Sequence, residues 1–425
     1  MTKFLIATIL LATILVNFCV FAQNKNATDS FQATDANSPS STSLTLTWQS
    51  SGYYIPVKIQ NDDIDILNLS GNEREERSNM MLALYSSITL LAENCLSFSP
   101  ILASEDQNSL VNDIFNLDYP YFTVKSGFSS PFQIDLSSNY PNDQEDAIVA
   151  TSCSQQGPSA YGSESFGLLG MGIDNNALNN NSTLALFSIY LDGPEQNGKL
   201  FFTTDFSNTQ SHTPVSTLTA DADWHVFGVS SLKIGPVSYH TSSTNLIFDI
   251  NSNMIGLPLK IFETVISSLE SVSSVTCPAN TYSNPTCTYP GHIVNLPNIV
   301  IGVEAEQIVI PPVVYATSGT ANTVSFNLRG LNSNMSDINY ITPSYNSYII
   351  LDSNFMSYYY TVFAASPNGG TITLYAALQT EDNTSTIVFI VLGFIVLLIF
   401  LISRCGCKKK KNKLNQTSES AKEII

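Results

Sequence analysis

Charge is scarce in this chain. Of 425 residues only 12% are Asp, Glu, Lys or Arg, and 17 basic side chains stand against 35 acidic ones, a formal net charge of −18. Lys3 and the seven basic residues from Arg404 onward lie at the two ends, which leaves nine in the body against 33 acids. Such a body repels phosphate backbones and anionic surfaces, so nucleic acid is excluded as a partner. Histidine is rarer still. His212, His225, His240 and His292 are far apart, and neither they nor the cysteines show metal-ligand spacing, so no metal and no other cofactor is expected. Cysteine is limited to seven residues. Cys19 falls in the first apolar run, Cys405 and Cys407 follow the last, and Cys95, Cys153, Cys277 and Cys287 lie between, where three disulfide pairings are open.

Long apolar runs occur only at the two ends. Residues 1–22 combine Lys3, the run FLIATILLATILV and a small-residue exit at Val20 and Ala22, which reads as a signal peptide. Residues 386–402, TIVFIVLGFIVLLIFLI, carry no charge and are just long enough to cross a bilayer as a helix. Arg404 and Lys408 to Lys411 follow at once, which places a basic tail, 403–425, in the cytoplasm. These features predict a single-pass type I protein of the secretory pathway or cell surface, held in the lipid bilayer by its C-terminal helix. The sequons at Asn26, Asn68, Asn181, Asn334 and Asn383 suit N-glycans on exposed loops of an exported chain. Cys405 and Cys407 beside the membrane read either as free thiols or as palmitoylation sites.

What fills the middle is aromatic and β-branched. Nineteen Tyr, 23 Phe and many Val, Ile, Thr and Ser favour sheet over helix, and runs such as YYIPVKI, FTVKS, KLFFT and ITLYA alternate at strand period. The expected class is all-β, with length enough for two domains. One exception is LPLKIFETVISSLESV, 257–272, whose apolar residues follow helical spacing after Pro258. Residues 23–49 read as a polar leader, low in complexity at least as far as Leu44.

The most informative stretch is NLIFDINSNMIGLP, 245–258: an apolar strand running into a lone carboxylate, Asp249, then small polar residues and a proline. Earlier, SNMMLALYSSITLLAENC at 78–95 repeats the strand and the paired serines, Ser86 and Ser87, but carries Ala83, Leu84 and Tyr85 ahead of them. YFTVKSG at 121–127, SESFGLLGMG at 163–172, LFSIYLDGPEQNGKLFFTTDF at 186–206, DWHVFGVSSLKIG at 223–235 and YIILDSNFMSYYYTVFAASPNGGTITLYA near the end follow in order.

Together these segments resemble the pepsin-like eukaryotic aspartic protease family, in a divergent form with degenerate catalytic motifs. The resemblance implies a bilobal β fold, with lobes at 50–210 and 211–380 and a cleft between them. It implies Asp249 as the remaining family Asp, with Ile250 and Asn251 where the family has Thr and Gly. It puts Ala83 where the first Asp belongs and Ser126 where the flap tyrosine belongs. A competing register at ILNLSGN, 66–72, supplies no carboxylate either, since Leu69 takes the Asp position. The resemblance also implies a Cys277–Cys287 disulfide, which leaves Cys95 with Cys153.

An aspartic protease needs two carboxylates sharing a proton across a water, one as base and one as acid. A chain with one is expected to be a pseudoenzyme whose cleft binds an extended peptide or protein ligand. Two alternatives stand beside this. One is an active endopeptidase using Asp249 with a displaced second Asp, from Asp63, Asp65 or Asp352. The other is a glycosylated surface scaffold or adhesin, which a cleft filled by Tyr85 supports. Loss of Thr at position 250 is expected to remove the hydroxyl bonding between lobes, and a lone Asp249 in an apolar cleft either to have a raised pKa or to find a new donor such as Ser252.

Overall fold

The structure is a computed structural model, and it describes residues 43–49, 52–60, 79–91, 113–120, 122–135, 144–155, 167–173, 186–202, 209, 211–320, 322–332, 341–366 and 369–377. The signal-peptide and membrane-helix segments, Asp63, Asp65, Cys95 and all five sequons lie outside the described residues. Among the described residues no helix is long and apolar enough to cross a membrane.

The described chain is mostly strand. In the first half run β1 (Ser43–Gln49), β2 (Gly52–Pro56), β3 (Lys58–Gln60), β4 (Asn79–Ala83), β5 (Leu90–Leu91) and β6 (Asp113–Tyr119). They are followed by β7 (Phe122–Asp135), β8 (Gln144–Gln155), β9 (Gly167–Gly170), β10 (Leu186–Leu191) and β11 (Gly198–Phe201). The second half begins with β12 (Ser216–Ala220), β13 (Val226–Ile234), β14 (Val237–Phe248), β15 (Ile255–Pro258) and helix α1 (Leu259–Ser273). It continues with β16 (Thr286–Thr288), β17 (Ile299–Val303), β18 (Glu306–Ile310), the short α2 (Pro312–Tyr315), β19 (Ala316–Ser318), β20 (Thr323–Phe326) and β21 (Leu328–Leu331). Last come β22 (Tyr348–Leu351), α3 (Ser353–Tyr358), β23 (Tyr359–Ser366) and β24 (Gly369–Ala376).

Period-two alternation places the core. In β12 Ser216, Leu218 and Ala220 are buried while Thr217 and Thr219 are exposed, and β1 buries Leu44 and Leu46 between exposed Ser43 and Thr45. That pattern draws residues 43–49, read above as the end of a polar leader, into the fold as a strand between β11 and β2. Helix α1 forms where helical spacing predicts it, and Phe262, Val265 and Leu269 face the core.

Sheet connectivity ties the two halves together. A 14-stranded sheet runs β12-β24-β23-β10-β11-β1-β2-β4-β9-β5-β8-β7-β3, with β6 added on β7, so three strands of the second half continue directly, through β23 on β10, into the strands of the first. A seven-stranded sheet, β18-β17-β13-β14-β22-β15-β21, belongs to the second half alone. The Cys277–Cys287 disulfide is present, with S–S 2.05 Å, and ties β16 of the three-stranded β16-β20-β19 sheet to the segment after α1. Cys153 is also disulfide-bonded.

Each half carries the same small motif. In the first, β4 pairs in parallel with β9, and β5 pairs antiparallel with it. In the second, β14 and β15 flank β22 in the same senses. The turn after β4 and the turn after β14 therefore emerge at equivalent places, and the two turns meet where the halves join.

Candidate functional site

Ala83 and Asp249 occupy matching positions in these two turns. Leu82 pairs with Leu169 and Ala83 with Gly170; Phe248 pairs with Leu351, and Asp249 donates its N–H to the Leu351 carbonyl at 2.9 Å. Three residues on, Ser86 and Ser252 play one part. Ser86 Oγ accepts from Ile88 N at 3.1 Å and donates to Ile88 O at 3.5 Å; Ser252 Oγ accepts from Met254 N at 3.4 Å and donates to Met254 O at 2.7 Å. The carbonyls of Ser86 and Ser252 each accept a backbone N–H, from Gly172 and Ser353, at 2.9 Å. Gly172 and Gly170 are required here: a Cβ at either would stand 2.6 Å from the backbone of Ser87 or Ile88.

Asp249 is fully buried, and its Oδ1 accepts from Asn251 N at 3.0 Å. Ser252, the donor expected for it from sequence, is instead committed to its own turn and to Arg329, whose Nη2 donates to Ser252 Oγ at 3.1 Å. The bonding between halves has moved by one residue. Ile250 is buried and apolar, but Asn251 reaches across: its Nδ2 donates to Leu82 O at 2.8 Å and its Oδ1 accepts from Tyr53 N at 3.0 Å. One amide thus supplies both a donor and an acceptor to the other half. Ile250 supplies no such bond, as expected, and the amide of the residue beside it links the halves instead.

Asp352, a candidate for a displaced second acid, is fully buried at the end of β22. Its carboxylate is engaged as the N-cap of α3: Oδ1 accepts from Phe355 N at 3.0 Å and Oδ2 from Asn354 Nδ2 at 2.6 Å. Burial pushes it up to about 7, against the opposing pull of those donors and of the Arg329 charge.

The hairpin that reaches over the first turn is β6–β7, which closes between Tyr119 and Phe122. Ser126, matched by resemblance to the flap tyrosine, sits instead in mid-strand, paired with Ser152 of β8 beside a register shift. Tyr119, at the hairpin turn, is the residue in the flap position. The signal was in the sequence: Phe115, Leu117, Tyr119 and Pro120 follow the pattern apolar-x-apolar-x-Tyr with Pro replacing Gly. The flap tyrosine is therefore present rather than lost. Tyr119 stacks on Phe122 at 4.9 Å and 10°, and burial pushes its phenol well above the ordinary range, with the Ser86 hydroxyl opposing.

Between the halves the seam is apolar and buried. Ala83, Tyr85, Tyr119, Phe122 and Val124 from the first half join Ile247, Ile341, Tyr345, Tyr348 and Ile350 from the second in one apolar cluster. Tyr85, where the family has a glycine, is 1% exposed and meets the Tyr345 ring edge-on at 6.5 Å. His225 Nε2 lies 3.2 Å from the Tyr85 carbonyl, and His225 Nδ1 lies 3.3 Å from Asp221 Oδ2. Burial works to raise Asp221, yet the bond and charge of His225 hold it below the usual carboxylate range. Asp223 Oδ1 accepts from Ser87 N at 2.6 Å, and Trp224 Nε1 donates to Met171 O at 2.6 Å. Among the described residues no group of His, Cys, Asp and Glu could hold a metal ion. A groove of about 720 Å³ lies beside α1, lined by Tyr239, His240, Lys260 and Thr264 among others, and shares Leu331 with the seam cluster.

A family model for eukaryotic aspartyl protease matches residues 142–372. The chain belongs to this family. The matched span holds the Asp249 turn, both flanking strands of its motif and Asp352, while the Ala83 turn and the Tyr119 hairpin lie ahead of it. No curated protein matches the chain. Membership accounts for the paired strand–turn–strand motifs; the residues on the two turns decide what chemistry this member can perform.

Proposed function

We propose that this aspartyl protease family member is a non-hydrolytic, glycosylated protein, exported and tethered by its C-terminal apolar run, in which the two-lobed fold serves as a scaffold. The observation that carries the reading is Ala83 at the position equivalent to Asp249. A methyl group can neither activate a water nor return a proton, so the described turn opposite Asp249 supplies no second catalytic acid. Asp352 does not substitute: both its oxygens serve the cap of α3.

The apolar seam favours a scaffold whose cleft is filled by its own side chains over an open peptide groove, because the buried rings of Tyr85 and Tyr345, from opposite halves, meet edge-on within it. The test is cleavage of a diverse peptide library by the full chain in detergent from pH 3 to 7, beside the Asp249→Ala variant. No pepstatin-sensitive cleavage is expected. Cleavage that disappears in the variant would establish an active endopeptidase and discard this reading.

A further inference from the structure

We propose that Thr342 to Ser344 form a latch that pins the β6–β7 hairpin shut across the interlobe seam, so that access to the seam is governed by release of this contact. The hairpin turn and residues 341–345 come from opposite halves of the chain, yet they are joined by three hydrogen bonds. Thr342 N donates to Pro120 O at 2.9 Å, Thr342 Oγ1 donates to Tyr119 O at 2.8 Å, and Ser344 Oγ donates to Asp118 Oδ2. Asp118 is itself held by Thr123 Oγ1 at 2.7 Å, so the latch grips a carboxylate already fixed on the hairpin. Thr342 is fully buried and Tyr119 nearly so, although both lie next to turns.

Geometry distinguishes a latch from ordinary packing. The bonds fall on the hairpin turn and on a segment that is neither strand nor long helix, a 3₁₀ turn at Pro343–Tyr345. Sheet pairing between the halves lies elsewhere, in β10 with β23. Breaking the three bonds therefore loosens the hairpin turn from the second half without unpairing any strand that joins the halves, while β7 stays paired to β8. Tyr119 and Phe122 of the hairpin pack in one buried cluster with Tyr85 and Tyr345, an aromatic surface that release would bring into contact with solvent. Short turn-to-turn contacts of this kind are drawn from the low-stability end of a fold, where local opening precedes global unfolding.

The experiment uses the full chain in detergent and hydrogen exchange read by mass spectrometry. Thr342→Val with Ser344→Ala removes both side-chain donors. It is expected to speed exchange in residues 113–127 by about tenfold or more, as loss of two hydrogen bonds predicts, and to leave β13 and β14 unchanged. An Asp118→Cys, Ser344→Cys pair, oxidised to a disulfide, is expected to slow exchange in the same segment and to lower binding of 8-anilinonaphthalene-1-sulfonate. Unchanged exchange at 113–127 in a folded double variant overturns the latch. Faster exchange spread evenly over the chain overturns it too, since that marks a general loss of stability. The proposal rests on the hairpin position and not on the absence of hydrolysis. The double variant is therefore also assayed for peptide cleavage, and Asp249-dependent cleavage would remove the non-hydrolytic reading while leaving the latch standing.

Discussion

The turn after Ala83 and the turn after Asp249 share their construction down to single hydrogen bonds, yet one presents a methyl group and the other a carboxylate. Ser86 with Ile88 and Ser252 with Met254 make the same serine-closed turn, each threaded by a buried strand. The difference that bears on catalysis is Ala83 against Asp249. Folding needs the serine turns and the threading strands, and these are kept in both halves, whereas the close approach of Gly170 and Gly172 belongs to the first half alone. Hydrolysis needs two acids and a wet gap, and the first half supplies Ala83 and Tyr85 instead.

Making the two turns alike breaks the comparison most severely. Ala83→Asp puts a carboxylate into the apolar cluster, where desolvation raises its pKa; at pH 7 the loss of stability is expected to be about 5 kcal/mol. The loss shrinks toward pH 4 as the group takes up a proton, and urea titrations at the two pH values measure it. A loss that does not depend on pH would mean that the carboxylate finds water or a donor at the seam.

Asp352 carries the same physics in the native chain. Its folded pKa of about 7 lies above the ordinary value of 3.8, so the folded state binds the extra proton. Stability from this group is therefore greatest at acidic pH and is lost as pH rises from about 4 to about 7, by up to about 4 kcal/mol. Asp352→Asn removes the dependence while retaining a side-chain oxygen for the cap. Thermal melts from pH 4 to 8 should show the variant gaining on the parent as pH rises; parallel curves would contradict it.

Asn251 joins the turns, and its loss tests whether one amide holds them together. Asn251→Ala leaves Tyr53 N–H and Leu82 C=O buried without this partner, at an expected cost of about 3 kcal/mol in chemical denaturation. Asn251→Asp keeps the acceptor for Tyr53 but sets an oxygen against the Leu82 carbonyl, and is expected to recover none of that stability at pH 7. The mildest change is Asp249→Asn, which keeps an oxygen for Asn251 N–H and is expected to alter stability by about 1 kcal/mol or less.

Much of this could be read in the chain before any coordinates. Alternating aromatic and β-branched runs announced the sheets, and the helical spacing after Pro258 announced α1. The ordered landmarks pointed to the family that the chain belongs to. At the site the readings diverged for physical reasons. Sequence comparison looks for a hydroxyl where the family has one, so Ile250 hid the fact that the next side chain, Asn251, spans the same gap. The flap was sought at a Gly-bearing stretch, and SG at 126–127 answered to that pattern better than Tyr119 followed by proline. Only strand pairing shows which hairpin overhangs the seam. The capping role of Asp352 depends on α3 starting at Ser353, which no local signal around LDSNF separates from a strand end.

The shared sheet also orders events in time. Strand β10, complete by Leu191, takes β11 on one edge and β23 on the other, with Phe187 stacked on Phe363 at 4.6 Å. A chain made from its N terminus holds that second edge open until Tyr359–Ser366 has emerged. During the interval the first half is an incomplete sheet, with an unpaired strand available to any neighbouring chain. Chains that stop short of Tyr359 keep that edge for good, and aggregation rather than a stable half-molecule is their expected fate.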